Sequence, residues 1–180
     1  MTICENSMEY DKRLWYTDIG HFDGGNKLMV NPKVYFDNCC LNRPYDNQSN
    51  NKVRMESESI LSIIDNCETL DWQYFSSDVL FDEILEISDP DKKEKVMLLY
   101  NGASEHIGFS DAIYIRAKEL ESQDIKSFDA LHLASAESAN ADVLLTTNRK
   151  FINSATKANT KIPVRNPLVW LAEVLYDSES

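Results

Sequence analysis

Short apolar runs alternate with longer stretches of helical periodicity through most of the chain after residue 30. Lys33–Asp37 and Gln73–Ser76 have the β-prone composition of strands, and between them Lys52–Cys67 places apolar residues on one face of a helix. Parallel strands need a crossover connection, which is usually a helix of this length. The pattern therefore predicts an α/β fold with a parallel sheet and helices on both faces.

The same signals predict the other elements in chain order. Further strands are expected at His106–Phe109, Asp142–Thr146 and Ile162–Val164. Further helices are expected from Ser77 or Asp78 to the break at Asp89-Pro90, from Lys92 to Tyr100, after the cap Ser110, after the cap Ser127, over RKFINSA, and from Pro167 onward.

The chain of 180 residues has room for one domain with a short extension. We predict that residues 31–176 form the domain, that residues 1–30 are an N-terminal extension, either an arm or a leader, and that residues 177–180 are a frayed tail. Leu14, Trp15 and Tyr16 favour an ordered or semi-ordered extension over a fully disordered one.

Charge and targeting signals narrow the function classes. Eighteen Lys and Arg against 30 Asp and Glu give a formal net charge of −12, which disfavours a nucleic-acid binder. A divalent-metal enzyme escapes that argument, because its ions supply positive charge within a carboxylate cluster. The N-terminus carries acids and lacks the apolar core of a signal peptide, and no apolar run reaches the length of about 18 residues that spans a membrane, so we expect a cytoplasmic protein.

The four cysteines do not form a zinc motif. Cys4, Cys39, Cys40 and Cys67 include no C-x-x-C pair, and two adjacent cysteines are poor zinc geometry. Without an export signal, buried reduced thiols are expected rather than a disulfide framework.

Polar residues follow the strands where a parallel sheet places its ligands. Asp37 ends the first strand, and Asn148 follows the strand DVLLT; Glu83 and Asp129 lie early in helices that begin at the same edge of the sheet. Because ligands of open parallel sheets bind outside the carboxyl ends of the strands, these four side chains can converge. Three carboxylates in proximity repel one another, and a hard cation such as Mg²⁺ or Mn²⁺ relieves that repulsion. The pattern therefore predicts a metal site.

The segments VYFDNCCLNRPYD, SSDVLFDEI and IKSFDALHLASAESANADVLLTTNRKF together resemble PIN-domain proteins, and more closely the VapC-type toxins of bacterial type II toxin–antitoxin pairs. The resemblance covers about Val34 to Leu171. It implies a small, mostly parallel three-layer α/β sandwich and a Mg²⁺- or Mn²⁺-dependent ribonuclease. Family acidic positions map onto Asp37, Glu83 and Asp129. A fourth position, usually Asp, is Asn148 here, which can hold a water or complete the shell but adds no negative charge. A cognate antitoxin covering the acidic rim and a homodimer are also implied.

Each of these residues has a rival interpretation. Asp82 and Glu86 compete with Glu83, and Asp124 is the fallback for Asp129, which could simply favour a helix dipole. Asn148 also suits the cap of the helix RKFINSA, a role compatible with a metal shell.

Three further residues near the predicted site are titratable. His132 follows Asp129 on the same helix and is expected to be a half-buried, hydrogen-bonded histidine rather than a general base. Glu56 and Glu58 are expected on a solvated helix face.

Arg43 and Arg149 are the predicted contacts to the substrate backbone. With Lys52, Arg54 and Lys150 they form a set of cations that follow Asp37 and Asn148 along the chain. The segment from Asn42 to Asp46 is expected to be a loop over the site, and Arg43 could equally pair with a rim acid and serve structure only.

We predict metal-assisted hydrolysis of RNA phosphodiester bonds. The alternative is a non-catalytic PIN-like module that binds RNA or protein, which Asn148 and the net charge of −12 motivate. A haloacid-dehalogenase-like phosphohydrolase fits poorly, because that pattern wants a second Asp two residues after Asp37 and position 39 is Cys.

Overall fold

A computed structural model of the protein describes residues 31–178, so the predicted extension of residues 1–30 lies outside the described part of the chain. Five parallel strands form one sheet in the order β3-β2-β1-β4-β5. The strands are β1 (Lys33–Phe36), β2 (Gln73–Ser77), β3 (Glu105–Ile107), β4 (Val143–Leu145) and β5 (Val164–Arg165). The central strand β1 pairs Val34 with Tyr74 on one side and with Val143 on the other.

Helices connect the strands and cover the sheet. They are α1 (Asn38–Asn42), α2 (Asn51–Thr69), α3 (Asp78–Leu85), α4 (Pro90–Asn101), α5 (Asp111–Glu121), α6 (Ser127–Ser138), α7 (Arg149–Ala155) and α8 (Pro167–Ser178), and a single 3-10 turn follows α1 at Arg43–Tyr45.

Alternating side chains of the strands build a separate core on each face of the sheet. Val34 and Phe36 of β1 pack with residues of α1, α2, α3, α4 and α8, whereas Tyr35 packs on the other face with residues of α5, α6 and α7. All three side chains are fully buried, as expected when a parallel strand is covered on both faces. The three-layer α/β architecture predicted from the sequence is confirmed.

The main local difference lies after β1. A loop is predicted over Asn42–Asp46, but the chain forms α1 and then the 3-10 turn, because Asp37 caps α1 and Pro44 is in the first turn of the 3-10 segment. The prediction of a loop is therefore wrong for Asn42–Tyr45.

Smaller differences occur elsewhere. The cap of α6 is Lys126, which makes no side-chain capping hydrogen bond, so Ser127 is the first helical residue rather than the cap. The last strand is Val164–Arg165 instead of Ile162–Val164. None of the helices within residues 31–178 has both the length and the apolar character needed to cross a bilayer.

Candidate metal centre

Asp37 lies at the carboxyl end of the central strand and is held by short contacts. Its backbone N–H donates to the Leu145 carbonyl (3.0 Å), which continues the pairing of β1 with β4. Its Oδ1 accepts from the backbone N–H of Cys39 (3.3 Å), and its Oδ2 accepts from the Thr146 hydroxyl (2.6 Å) and the Cys39 thiol (3.0 Å). Asp37 therefore caps α1 while its carboxylate lines the cavity described below.

Glu83 reaches the same place from α3. Ser77, the last residue of β2, caps α3 by accepting from the Leu80 N–H (3.1 Å), so the helix begins where the strand ends. Glu83 follows in the second turn, with its side chain 26% exposed, and its Oε2 lies 2.6 Å from His132 Nε2. A strand that passes directly into a helix thus delivers this carboxylate to the edge of the sheet.

His132 is fully buried rather than half-buried, and it lies between a phenol and two carboxylates. Its Nδ1 is 2.9 Å from the Tyr35 hydroxyl, and its Nε2 is 3.8 Å from Asp37 Oδ1. Ligand-capable atoms of Asp37, Glu83 and His132 lie within 4.8 Å of one another. Burial lowers the pKa of His132, but the hydrogen bond with Glu83 and the nearby carboxylate charges outweigh burial and raise that pKa above its ordinary value.

Asp129 brings a third carboxylate from the first turn of α6. Burial and the charge of Asp37 raise the pKa of Asp129 from 3.8 to about 6, although His132 and Lys126 act in the opposite direction. Burial is the larger cause, and the charge of Asp37 adds to it.

Asn148 caps α7, as one of its two predicted roles requires. Its Oδ1 accepts from the backbone N–H groups of Lys150 (3.1 Å) and Phe151 (3.4 Å), and its own backbone N–H donates to Thr146 Oγ1 (3.0 Å). The Oδ1 atom is therefore engaged at the start of α7.

These side chains line one open cavity of about 340 Å³ at the carboxyl ends of β1, β2 and β4. Its lining consists of Asp37, Asn38, Cys39, Asn42, Arg43, Asp46, Glu83, Asp129 and Asn148. The structure thus brings together the four predicted metal-site or catalytic positions and one of the two predicted arginines. Arg149 is exposed at the first position of α7 and is not among the lining residues.

The rival acids lie elsewhere. Asp82 on α3 and Glu86, which directly follows that helix, are both exposed, and neither lines the cavity. Asp124 is exposed in the turn before α6, where its φ of 65° places it in the left-handed region. Glu58 is also exposed, as predicted.

Arg43 combines a cavity position with structural pairing. Its Nε lies 3.1 Å from Glu56 Oε2, and its Nη1 donates to Asp46 Oδ2 (3.1 Å). Glu56 is buried, with contacts to Lys52 Nζ (3.5 Å) and to Asn166 Nδ2 (2.8 Å), so the prediction of a solvated face is wrong for this residue. A buried carboxylate is retained here because a guanidinium, an ammonium group and an amide compensate it.

The donor set fits a hard divalent cation. Carboxylate oxygens are the ligands that Mg²⁺ and Mn²⁺ prefer, and Asp37, Glu83 and Asp129 line one cavity. Of the three acids predicted as ligands, Asp37 and Glu83 belong to the cluster of ligand-capable atoms, and Asp129 lines the same cavity.

Sequence reasoning missed part of the support around these acids. Cys39 contacts Asp37 and Thr146, and Tyr35 contacts both His132 and Ser77. Tyr35 has the pattern of an ordinary core residue in a buried strand, so nothing local in the sequence indicates its polar contacts.

Comparison with known proteins agrees with this geometry. The PIN domain family profile matches residues 74–157, a range that contains Glu83, Asp129 and Asn148 but begins after Asp37. No curated protein matches the chain in a sequence comparison.

Among solved structures, one similar chain comes from the crystal structure of VapBC2 from Rickettsia felis bound to a DNA fragment from their promoter. The match has a TM-score of 0.50 and 16% sequence identity, and it covers 74% of this chain and 98% of the other. At this identity the likeness concerns the fold. The family match over residues 74–157, the likeness in fold and the convergence of acids on a parallel sheet all agree with a PIN-like domain.

Proposed function

We propose that this protein is a Mg²⁺- or Mn²⁺-dependent endoribonuclease and that it is the toxin of a toxin–antitoxin pair. One observation carries the proposal: Asp37, Glu83 and Asp129, which lie far apart in the chain, line a single cavity at the carboxyl edge of the sheet. Exposed acidic groups are common without a metal, but here Asp37, Glu83 and the buried His132 bring ligand-capable atoms within 4.8 Å of one another, beside Asp129 in the same cavity.

In this proposal Asp37, Glu83 and Asp129 are the metal ligands, directly or through water. A divalent ion held there supplies Lewis-acid polarisation of a phosphodiester and activation of a water molecule. The Nδ2 group of Asn148 orients a water or a phosphate oxygen, because its Oδ1 is engaged in capping α7.

The substrate backbone would meet few protein cations. Arg43 lines the cavity, and its pairing with Glu56 and Asp46 restricts it to one position. Arg149 would contact the backbone only outside the cavity, next to Asn148. With a net charge of −12, phosphate binding is therefore expected to depend on the metal ion more than on protein cations.

The partner proposal rests on the fold. The similar Rickettsia felis chain belongs to a VapBC2 structure. We infer that this protein likewise has a cognate antitoxin, whose binding covers the acidic rim, and that it forms a homodimer. Co-purification with the product of a small neighbouring gene would test this part separately.

The decisive test is cleavage of a mixed RNA pool with Mg²⁺ or Mn²⁺. The parent protein, free of any antitoxin, is compared with Asp37→Ala, Glu83→Ala and Asp129→Ala. The matched control is Asp82→Ala, because Asp82 is adjacent to Glu83 on α3 but is exposed and outside the cavity lining.

We expect metal-dependent cleavage by the parent and by Asp82→Ala, and a loss of at least about 100-fold in the three cavity variants, since each removes a proposed ligand. Cleavage that persists in all three would contradict the proposed site. A parent protein that binds RNA with no cleavage in either metal would instead support the non-catalytic module, which the commitment of Asn148 Oδ1 to helix capping favours.

A further inference from the structure

Behind Glu83, a chain of hydroxyl and imidazole groups runs from the end of β2 to the cavity. Ser77 Oγ is 2.5 Å from the Tyr35 hydroxyl, the Tyr35 hydroxyl is 2.9 Å from His132 Nδ1, and His132 Nε2 is 2.6 Å from Glu83 Oε2. Ser77, Tyr35 and His132 are each at most 1% exposed. Solvent therefore does not compete for these hydrogen bonds, and their directions follow from the donors and acceptors present.

The last contact fixes the proton on Nε2. A carboxylate offers only acceptors, so an unprotonated Nε2 would place two acceptors 2.6 Å apart. Nε2 must carry a proton and donate it to Glu83. The neutral ring with its proton on Nε2 and the doubly protonated ring both satisfy this requirement, so the conclusion does not depend on the charge of His132.

The other end of the chain favours the same arrangement. Ser77 Oγ already accepts from the Leu80 N–H as the cap of α3. Within residues 31–178, the acceptor in contact with the Ser77 hydroxyl proton is the Tyr35 oxygen. When the ring is neutral, Tyr35 can then donate to His132 Nδ1, and each donor among Ser77, Tyr35 and His132 has an acceptor, as buried polar groups require.

We propose that His132 is a positioning residue for Glu83 and that Tyr35, oriented by Ser77, holds the imidazole so that Nε2 donates to this carboxylate. This proposal rests on the proposed function, in which Glu83 is a metal ligand. It assigns Oε2 of Glu83 to the hydrogen bond with His132 and leaves Oε1 for the cation. His132 is then not itself a metal ligand, although its nitrogen lies within ligand distance of the acids. Partners that orient a ligating carboxylate affect metal affinity even though they do not touch the ion.

Nitrogen NMR of the histidine ring in the metal-free protein tests the hydrogen bond directly. Tyr35→Phe removes one hydroxyl, and Tyr74→Phe is the matched control: Tyr74 lies on β2, and its hydroxyl donates to Leu99 O (2.6 Å) in the other core. We expect a proton on Nε2 in the parent, in Tyr35→Phe and in Tyr74→Phe, because the contact with Glu83 requires it, and a changed Nδ1 shift only in Tyr35→Phe, which loses the hydroxyl partner of Nδ1. A parent ring protonated only on Nδ1, or a ring unaffected by Tyr35→Phe, would overturn the assignment.

Calorimetric titration with Mn²⁺ tests the positioning role. His132→Leu and Tyr35→Phe should weaken Mn²⁺ binding, the former by about tenfold or more. His132→Gln, whose amide can donate at the position of Nε2, should restore most of the loss, whereas Tyr74→Phe should bind as the parent does. A purely structural role for His132 predicts no such rescue.

Pulsed EPR of the Mn²⁺-loaded parent separates positioning from ligation, because a directly bound imidazole nitrogen couples strongly to Mn²⁺. Strong coupling that disappears in His132→Leu would overturn the proposal in favour of ligation. Mn²⁺ binding that is unchanged in His132→Leu would overturn the positioning role alone. A parent that binds no Mn²⁺ would instead contradict the proposed function, and the NMR result would still decide the hydrogen bond.

Discussion

The ionised carboxyl group of Asp129 lowers the stability of the folded, metal-free protein at neutral pH. Its pKa is about 6 in the folded protein, raised from 3.8 by burial and by the charge of Asp37. A raised pKa in the folded state gives stability that is complete below about pH 4 and is lost as the pH rises through about 6. We therefore expect Asp129→Asn, which is permanently neutral, to stabilise the metal-free protein at pH 7 by about 1 kcal/mol after allowance for solvent screening.

Urea unfolding without metal, at pH 7 and near pH 4, measures this effect. The gain from Asp129→Asn should shrink towards zero near pH 4, where the parent side chain is also neutral. Asp65→Asn, at an exposed position of α2, is the control and should not change the free energy of unfolding at either pH. A gain of equal size at both pH values would assign the effect to packing instead of charge.

At the residue scale, the cavity acids could be predicted from position alone, because the ends of parallel strands and the first turns of the following helices share one edge. The partners of charged side chains could not. Arg43 and Glu56 are neighbours only because α2 packs beside the 3-10 turn, and the contact between His132 and Glu83 joins residues 49 positions apart.

At the element scale, α7 depends on Asn148 for its first turn. Asn148→Ala should cost about 1 kcal/mol of stability, because two backbone N–H groups lose their acceptor. Asn148→Asp keeps a capping oxygen and also adds negative charge beside the three acids. With Mn²⁺ present, Asn148→Asp should therefore unfold at or above the parent's midpoint and bind Mn²⁺ more tightly, as titration calorimetry and thermal unfolding can establish.

The control for the Asn148 variants is a helix cap that is remote from the cavity. Asn50 caps α2 by accepting from the N–H groups of Lys52 and Val53, so Asn50→Ala should cost a similar free energy with no change in Mn²⁺ affinity. Equal Mn²⁺ affinity in Asn148→Asp and the parent would mean that position 148 does not contribute to the metal shell.

Long elements were predictable because their periodicity extends over several turns, as in α2 and α5. Helix α1 was not, since five residues are too few for a helical repeat and its start depends on the cap that Asp37 provides. Strand β5 consists of two residues, which pair with β4 but leave no alternating pattern in the sequence.

At the scale of the whole molecule, metal binding should act as a stabilising ligand on a protein with a net charge of −12. At a Mn²⁺ concentration about 100 times the dissociation constant, the free energy of unfolding should rise by about 2.7 kcal/mol. NaCl at equal ionic strength is the control, because it screens repulsion between all the acids without occupying the site. Thermal unfolding of the parent and Asp37→Ala should differ in their response to Mn²⁺ but not to NaCl.

The fold class followed from the alternation of strands and helices, whereas the order of the strands comes from the way the crossovers pack. β1 lies at the centre, β2 and β3 extend the sheet on one side, and β4 and β5 extend it on the other. The order of elements along the chain therefore differs from their order in space.

This strand order has a consequence for synthesis on the ribosome. Asp37 and Glu83 come from the first part of the chain, whereas Asp129 and Asn148 come from α6 and from the residue after β4, the strand that pairs with β1. A nascent chain that has not yet placed β4 beside β1 has Asp37 and Glu83 but lacks Asp129 and Asn148 at the cavity. The proposed ribonuclease would thus stay inert towards the messenger being translated until most of its own chain has emerged, a delay in which a co-expressed inhibitor can be ready.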